Sequence, residues 1–516
     1  MESSGVVSIF RATTSLSVFL AAACATQAEP QDAIADQSAP DSWYAAGRAA
    51  LAARKALAPN NSRARNVILF VADGMDPTTV AAARIYDGQT RGEPGEENYL
   101  SFETFPYLGM AKTYNTDSQT PDSAGTMTAM TTGAKTKIEI IAVSEAATRG
   151  DCASSLGAHL ETIFERVEKI GLATGVVTTA RLTHATPAAA YAHVPDRNWE
   201  SDAGLPAGAY ETGCRDIASQ LIDFPYGDVL EIAMGGGRSN FLPDVEADPE
   251  EPNLNGARKD GRNLVDEWRA KSPNHIYVWN EAQFNGLSPD AAPRPLGLFN
   301  RSHMEYEADR ERDAGGEPSL EAMTRKSIAI LSRHTQGYVL VVEGGKVDLA
   351  HHAGNAARAL HETQEFSEAV AAAREMTSAR DTLIIVTADH GHTMSFAGYP
   401  ERGADILGLA TSSRGRDVDD NGFALAADGK PTTTLSYANG PGALFSGQPL
   451  PNGRPLLTAE EVEDLDFKQP AIAPMEDETH GGQDVTVYAS GPKAHLIGGV
   501  FEQNYIYHVM VDALGL

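Results

Sequence analysis

The chain has 516 residues, 42% hydrophobic and 22% charged. This balance fits a soluble globular protein with a sizeable core and excludes a disordered or fibrous chain. Lys and Arg number 41 against 70 Asp and Glu, a formal charge of −29, which argues against a nucleic-acid partner and against docking on an anionic membrane, since both need basic faces. An anionic substrate would have to find its positive charge inside the site, from metals or arginine.

The first predicted element is an apolar stretch from Ser15 to Ala25, preceded by Arg11 and closed by the small residues Ala23, Cys24, Ala25 and Ala28. It is shorter than the ~20 residues that cross a bilayer and has the layout of a secretory signal peptide, assigned to residues 1–28. Export to a periplasmic or extracellular space follows. Ala21-Ala22-Ala23-Cys24 also resembles a lipoprotein cleavage site, which would anchor the chain through Cys24. Nothing else is long and apolar enough to span a membrane. Residues 29–62 read as an N-terminal extension with a short helix around Trp43 to Leu57.

A folded core begins at Asn66 and is assigned to residues 63–516. Four β-branched apolar runs, Val67–Val71, Gly175–Thr179, Tyr338–Val342 and Leu383–Val386, have the length of buried strands. Helical stretches alternate with them at Ala124–Thr131, Leu156–Ile170, Leu320–Arg333 and Ala356–Met376. This alternation predicts an α/β fold of three layers, a mostly parallel central sheet with helices on both faces. Residues 199–316 read as loop-rich. Residues 400–478, rich in Gly, Pro, Asp and Thr, read as a long irregular insertion, a lid or an oligomer contact. Cys152 and Cys214 form an even pair that an exported protein can oxidise; the alternative is two buried thiols.

In parallel α/β sheets, sites form beyond the carboxyl ends of the strands. Here each apolar run is followed by chemistry-bearing residues. Asp73 follows the first, His184 and Thr186 the second, Glu343, Asp348, His351 and His352 the third, and Asp389, His390 and His392 the fourth. His480 lies in a fifth cluster, DETHGGQD. An Asp at a strand end is usually a cap, and a lone His is usually structural. Together in one cleft, these carboxylates and imidazoles would repel or stay unsatisfied unless cations neutralised them. His with Asp suits zinc, and an all-oxygen set suits magnesium. Ser123, in TPDSAGTMTAMTTG, sits directly before a small-residue helix, where the dipole favours an anion. It serves as an N-cap or as a nucleophile, and a nearby metal would lower its pKa without a histidine base.

The segments VADGM, TPDSAGTMTAMTTGAKT, VVTTARLTHATPAAAYAH, VEGGKVDLAHH, VTADHGH and ETHGGQD, in this order, resemble the motif set of the alkaline phosphatases. FEQNYIYHVM and GLFNRSHMEYE make the resemblance closer to the animal-type, tissue enzymes than to the classical enterobacterial one. It implies an exported, metal-dependent hydrolase of phosphate monoesters that works by double displacement through a phosphoserine, with two zinc ions and one magnesium ion. Ser123 is then the nucleophile and Arg197 the phosphate clamp. Asp73, Asp389 and His390 hold one zinc, Asp348, His352 and His480 the other, and Asp73, Thr186 and Glu343 the magnesium. His184 stands behind the magnesium and phosphate. The resemblance also implies a Cys152–Cys214 disulfide and a homodimer. Leu349 departs from the pattern, since relatives carry a cationic or His residue there, and weaker phosphate retention is expected. A fourth, calcium-like site is matched loosely by Glu250, Phe299 and Glu317, but Asn300 replaces a carboxylate.

Two rivals remain at this level. One is a phosphodiesterase or sulfatase of the same superfamily, although AGTMT after Ser123 lacks the sulfatase signature and Thr186 with Glu343 favours a three-metal monoesterase. The other is a non-enzymatic exported protein that binds metal or phosphate.

Overall fold

The run Asn66–Ala72 is buried along almost its whole length. Successive strand residues point to opposite faces, so this strand is covered on both sides. The same holds for Tyr338–Gly344 and Thr382–Thr387, every residue of which is buried. The computed structural model describes residues 42–443 and 454–516. The predicted leader and Cys24 lie outside the described residues, as does the stretch 444–453 of the predicted insertion.

Residues up to Leu57 form one unit and residues 58–516 another. The first unit contributes the helix Trp43–Ala56, close to the predicted one. Ser42 caps it by accepting from the amide of Ala45, and Arg54 and Lys55 in its last turn favour the negative end of the helix dipole.

The second unit carries fifteen strands among the described residues: β1 (Asn66–Ala72), β2 (Tyr107–Lys112), β3 (Ala173–Arg181), β4 (Ile232–Gly236), β5 (His275–Val278), β6 (Arg294–Leu298), β7 (Tyr338–Gly344), β8 (Thr382–Thr387), β9 (Gly391–His392), β10 (Met394–Phe396), β11 (Leu435–Gly440), β12 (Ala471–Pro474), β13 (His480–Gly481), β14 (Val485–Ser490) and β15 (Gly499–Glu502). Ten form one sheet in the order β15-β2-β14-β8-β1-β7-β3-β4-β6-β5. Only β14 runs against its neighbours. The predicted α/β class with a mostly parallel central sheet therefore holds. Helices Leu320–Leu331 and Ala356–Met376 pack on each other and on β7, while Ala185–Ala188 also packs on β3 and β7.

Three elements differ from the sequence reading. The helix expected over Leu156–Ile170 spans only Ile163–Glu168. Gly157 takes a left-handed φ of 81° and His159 bridges to Val143, so the chain cannot coil before Thr162. Thr162 and Glu165 then form a reciprocal capping box that starts the helix. Residues 199–316, read as loop-rich, supply β4, β5 and β6, which extend the sheet by three parallel strands. The segment 400–478 is only partly irregular, because β11 and β12 join β10 in a small second sheet. The expected disulfide is present between Cys152 and Cys214.

Candidate active site

The register of the central strands brings the site together. Val71 lies opposite Glu343 on one side and Thr387 on the other. Two residues later the chain reaches Asp73, flanked by the ends of β7 and β8. The short helix Lys346–His352 follows β7 and places Asp348 and His352 one turn apart on one face. After β8 come Asp389 and His390, and then β9 pairs antiparallel with β13, setting His392 directly opposite His480. That ribbon delivers His480 to the cleft although no apolar run precedes it.

Three groups of potential metal ligands result, with ligand atoms in each group within 4.8 Å of one another: Asp73 with Asp389 and His390, Asp348 with His352, His392 and His480, and Asp73 with His184 and Glu343. In the first, His390 Nε2 is 3.3 Å from both Asp73 Oδ1 and Asp389 Oδ2. In the second, Asp348 Oδ1 is 3.2 Å from His352 Nε2 and 3.4 Å from His480 Nε2. Next to the third, the Thr186 hydroxyl donates to Asp73 Oδ2 at 3.3 Å. The eight predicted ligand positions and His184 are thus in one neighbourhood, and Asp73 belongs to two groups.

The donor chemistry fits cations. Asp73 Oδ1 and Glu343 Oε1 are buried with no hydrogen-bond partner. Burial, reinforced by Asp389 and Asp348, pushes the Asp73 carboxyl well above the usual range, and burial pushes Glu343 up to about 8. Burial, with His480 nearby, holds His390 well below its ordinary value, so its ring is neutral and can offer a lone pair. Buried carboxylates this close are satisfied by positive charge, and neutral imidazole beside carboxylate is a zinc-type donor set.

Ser123 opens the buried helix Ser123–Thr132 and is 1% exposed. Its Oγ lies 3.4 Å from Asp73 Oδ2 and 3.2 Å from His390 Nε2. The cap is its neighbour Asp122, whose Oδ1 accepts from the amides of Gly125 and Glu139 and from Asn115 Nδ2. Ser123 itself is therefore spared for another task. Asp122 Oδ2 also accepts from Arg197 Nη1 at 3.1 Å, and Arg197 Nη2 donates to His184 Nε2 at 3.0 Å. Arg197, His352 and His480 line one cleft of about 640 Å³.

The profile described as alkaline phosphatase matches residues 64–516. The chain belongs to the alkaline phosphatase family. It is 44% identical over 462 residues to an alkaline phosphatase of Gadus morhua, covering 88% of this chain and 92% of that one. It is 43% identical over 461 residues to the tissue-nonspecific isozyme of Felis catus, covering 88% and 84%. Among solved structures, the alkaline phosphatase of Thermus thermophilus shares the fold at a TM-score of 0.62 and 23% identity, over 94% of this chain and 96% of that one. As an alkaline phosphatase, the chain is a metal-dependent hydrolase of phosphate monoesters.

Two residues of this alkaline phosphatase escaped the sequence reading as parts of the site. His392 was noted after β8 but given no role. Its Nε2 is 2.9 Å from Asp348 Oδ1, and its Nδ1 faces Glu478 Oε2. Burial alone would lower its pKa, but Asp348 and Glu478 outweigh burial and push it up to about 10. Both ring nitrogens are thus donors, and His392 orients Asp348 rather than offering a lone pair. Glu478 was not singled out at all. Its carboxylate takes His392 and the amide of Thr393, and its backbone carbonyl takes Nδ1 of His352. The Pro121 carbonyl does the same for Nδ1 of His480 at 2.8 Å. These acceptors leave Nε2 of both histidines facing Asp348. At the loosely matched fourth site, hydrogen-bond donors meet the carboxylates. Glu250 accepts from Arg238 and from the amide of Gly315, and Glu317 accepts from Asn300 Nδ2 and from the amide of Glu305.

Proposed function

We propose that this alkaline phosphatase is exported and works by double displacement through Ser123, with two zinc ions and one magnesium ion as resident cofactors. The observation that carries the reading is the Ser123 hydroxyl, buried at a helix start and within reach of both Asp73 and His390. In this reading Asp73, Asp389 and His390 hold one zinc, Asp348, His352 and His480 the other, and Asp73, Thr186 and Glu343 the magnesium. When bound, the cations supply Lewis acidity to the entering and departing oxygens and neutralise phosphoryl charge.

The chain's own residues do the rest. Arg197 donates to two phosphoryl oxygens while Asp122 and His184 fix its plane. Ser123 Oγ forms a bond to phosphorus as the bond to the leaving oxygen breaks, and that oxygen ends protonated by solvent. Water then attacks the phosphoserine, releasing inorganic phosphate and restoring the hydroxyl. The N-terminus of the Ser123 helix favours the negative charge that gathers there. The apolar leader supports export to a periplasmic or extracellular space, with residues 63–516 as the catalytic domain and a homodimer as the working form. The test is Ser123→Ala, which should lower turnover of p-nitrophenyl phosphate by orders of magnitude with metal content unchanged. Chelation should remove activity, and zinc plus magnesium should restore it. Wild-type rates in the alanine variant would contradict the covalent route.

A further inference from the structure

His193 closes the motif that carries His184 and Thr186, yet the chemistry described above does not use it. Its ring is largely buried and is held on three sides. Nδ1 donates to the carbonyl of Ala142 at 2.8 Å, Nε2 donates to Glu165 Oε1 at 2.8 Å, and the His159 ring stacks on it at 4.6 Å, nearly parallel. Its backbone is held as well, because the His193 amide donates to Gln220 Oε1 and its carbonyl accepts from Gln220 Nε2. Four residues on is Arg197. The segment His193–Arg197 lies against the strap of residues 139–142. Val194 and Ile141 exchange both backbone hydrogen bonds, and the Arg197 amide donates to Glu139 O. On its other side the strap is bound to the helix Ser123–Thr132, the Glu139 amide donating to Asp122 Oδ1 and the Ala142 amide to Thr128 Oγ1. Both ends of the strap are left-handed, with φ of 62° at Glu139 and 47° at Ala142, a conformation that non-glycine residues keep only where their surroundings hold them in it. At Ala142 the holding groups are Thr128 on the amide, and the Leu160 amide and His193 Nδ1 on the carbonyl.

We infer that His193 is a positioning residue for the phosphate clamp: by holding Ala142 through Nδ1 it fixes the strap on which Arg197 lies, and with it the reach of the guanidinium relative to Ser123. This rests on the reading that Arg197 grips the phosphoryl oxygens. The contacts form a closed circuit from the Ser123 helix through the strap and His193 to Arg197, and back to the helix through Arg197 Nη1 and Asp122 Oδ2. His193 is not among the residues lining the cleft, so it acts through Arg197. Without His193 Nδ1 the Ala142 carbonyl keeps only the Leu160 amide, and the left-handed turn is free to relax. The strap then shifts at Glu139 O, the anchor of the Arg197 amide. A guanidinium fork that meets two oxygens at once tolerates such a shift poorly, because both donors must stay in line with their acceptors. Ser123 itself stays in place, since Asp122 still caps its helix at Gly125.

Two amide replacements separate this role from plain stability. The Asn amide nitrogen reaches about where His Nδ1 stands, and the Gln amide nitrogen about where Nε2 stands. His193→Asn therefore keeps the donor to Ala142 and gives up Glu165, whereas His193→Gln does the reverse. The readout is competitive inhibition of p-nitrophenyl phosphate hydrolysis by inorganic phosphate, with kcat measured at saturation on the metal-loaded enzyme. In His193→Gln the inhibition constant should rise about three- to tenfold, the share of one hydrogen bond, and kcat should change by a smaller factor. His193→Asn should stay within about twofold of wild type. His193→Ala lacks both donors and should match His193→Gln, so the result does not hang on the folding of one variant. In the Arg197→Ala background, His193→Gln should add no more than about twofold, because the group it positions is gone. Equal weakening in the Asn and Gln variants, or a Gln effect that persists in full without Arg197, would make His193 merely structural and overturn the inference. Weaker inhibition in Arg197→Ala with none in His193→Gln or His193→Ala would overturn the positioning role alone. Unchanged inhibition in Arg197→Ala would overturn the clamp reading and this inference with it.

Discussion

Replacing Arg197 with alanine is a measurable test of how phosphate is held. The guanidinium has five N–H donors. One on Nη1 is taken by Asp122 Oδ2 at 3.1 Å and one on Nη2 by His184 Nε2 at 3.0 Å. Each terminal nitrogen keeps one donor for a phosphate oxygen. A hydrogen bond to a charged group contributes about 1.5–3 kcal/mol, so two contribute at least about 3 kcal/mol. With tenfold per ~1.4 kcal/mol, the inhibition constant for inorganic phosphate should rise about a hundredfold. Folding should survive, because Asp122 keeps its bonds to Gly125, Glu139 and Asn115. The assay is competitive inhibition of p-nitrophenyl phosphate hydrolysis by phosphate, with kcat measured at saturation. Inhibition should weaken by a larger factor than kcat falls, and Arg197→Lys should recover only part because a point charge lacks the fork. An unchanged inhibition constant would refute the clamp.

Removing the Cys152–Cys214 bridge, which spans a sequence separation of 62, should cost about 4 kcal/mol by the chain-entropy estimate. Unfolding entropy is about 2.1 cal/mol/K per residue, so spread over the unit of residues 58–516 this lowers Tm by about 4 °C. Thermal unfolding of Cys152→Ser/Cys214→Ser checks it, and an unchanged Tm would count against a stabilising bridge. Burial, reinforced by Glu231, pushes Glu168 up to about 8. Its folded pKa is raised above the unfolded one, so the native state loses stability as pH climbs from about 4.5 through about 8. Glu168→Gln keeps an acceptor for the Thr174 hydroxyl and should therefore unfold at higher temperature than wild type at pH 9, with little difference at pH 4. The opposite order at pH 9 would contradict the burial argument.

Much of the site was legible because chemistry follows buried strands. Asp73, Glu343, Asp389 and His390 stand at the carboxyl ends of apolar runs, and Asp348 and His352 are spaced by one helical turn. His480 was different: its cluster stood out in the sequence, but only the family resemblance gave it a ligand role, since its position depends on the pairing of β9 with β13. Glu478 was invisible for the same reason, lying 86 residues from the His392 it holds. Strands β4 and β6 (IAMGG and RPLGL) were missed because they are short and carry Gly or Pro where a strand pattern expects branched residues. The helix expected over Leu156–Ile170 is cut to Ile163–Glu168 because Gly157 and the Thr162/Glu165 box are stop and start signals within that stretch.

The most direct measurement of the central claim is rapid acid quenching of the enzyme with a ³²P-labelled phosphate monoester, followed by peptide mapping. The account predicts label trapped as a phosphate ester on the peptide containing Ser123, and none in Ser123→Ala. Label on another residue, or brisk turnover with no protein-bound phosphate under any quench condition, would contradict it.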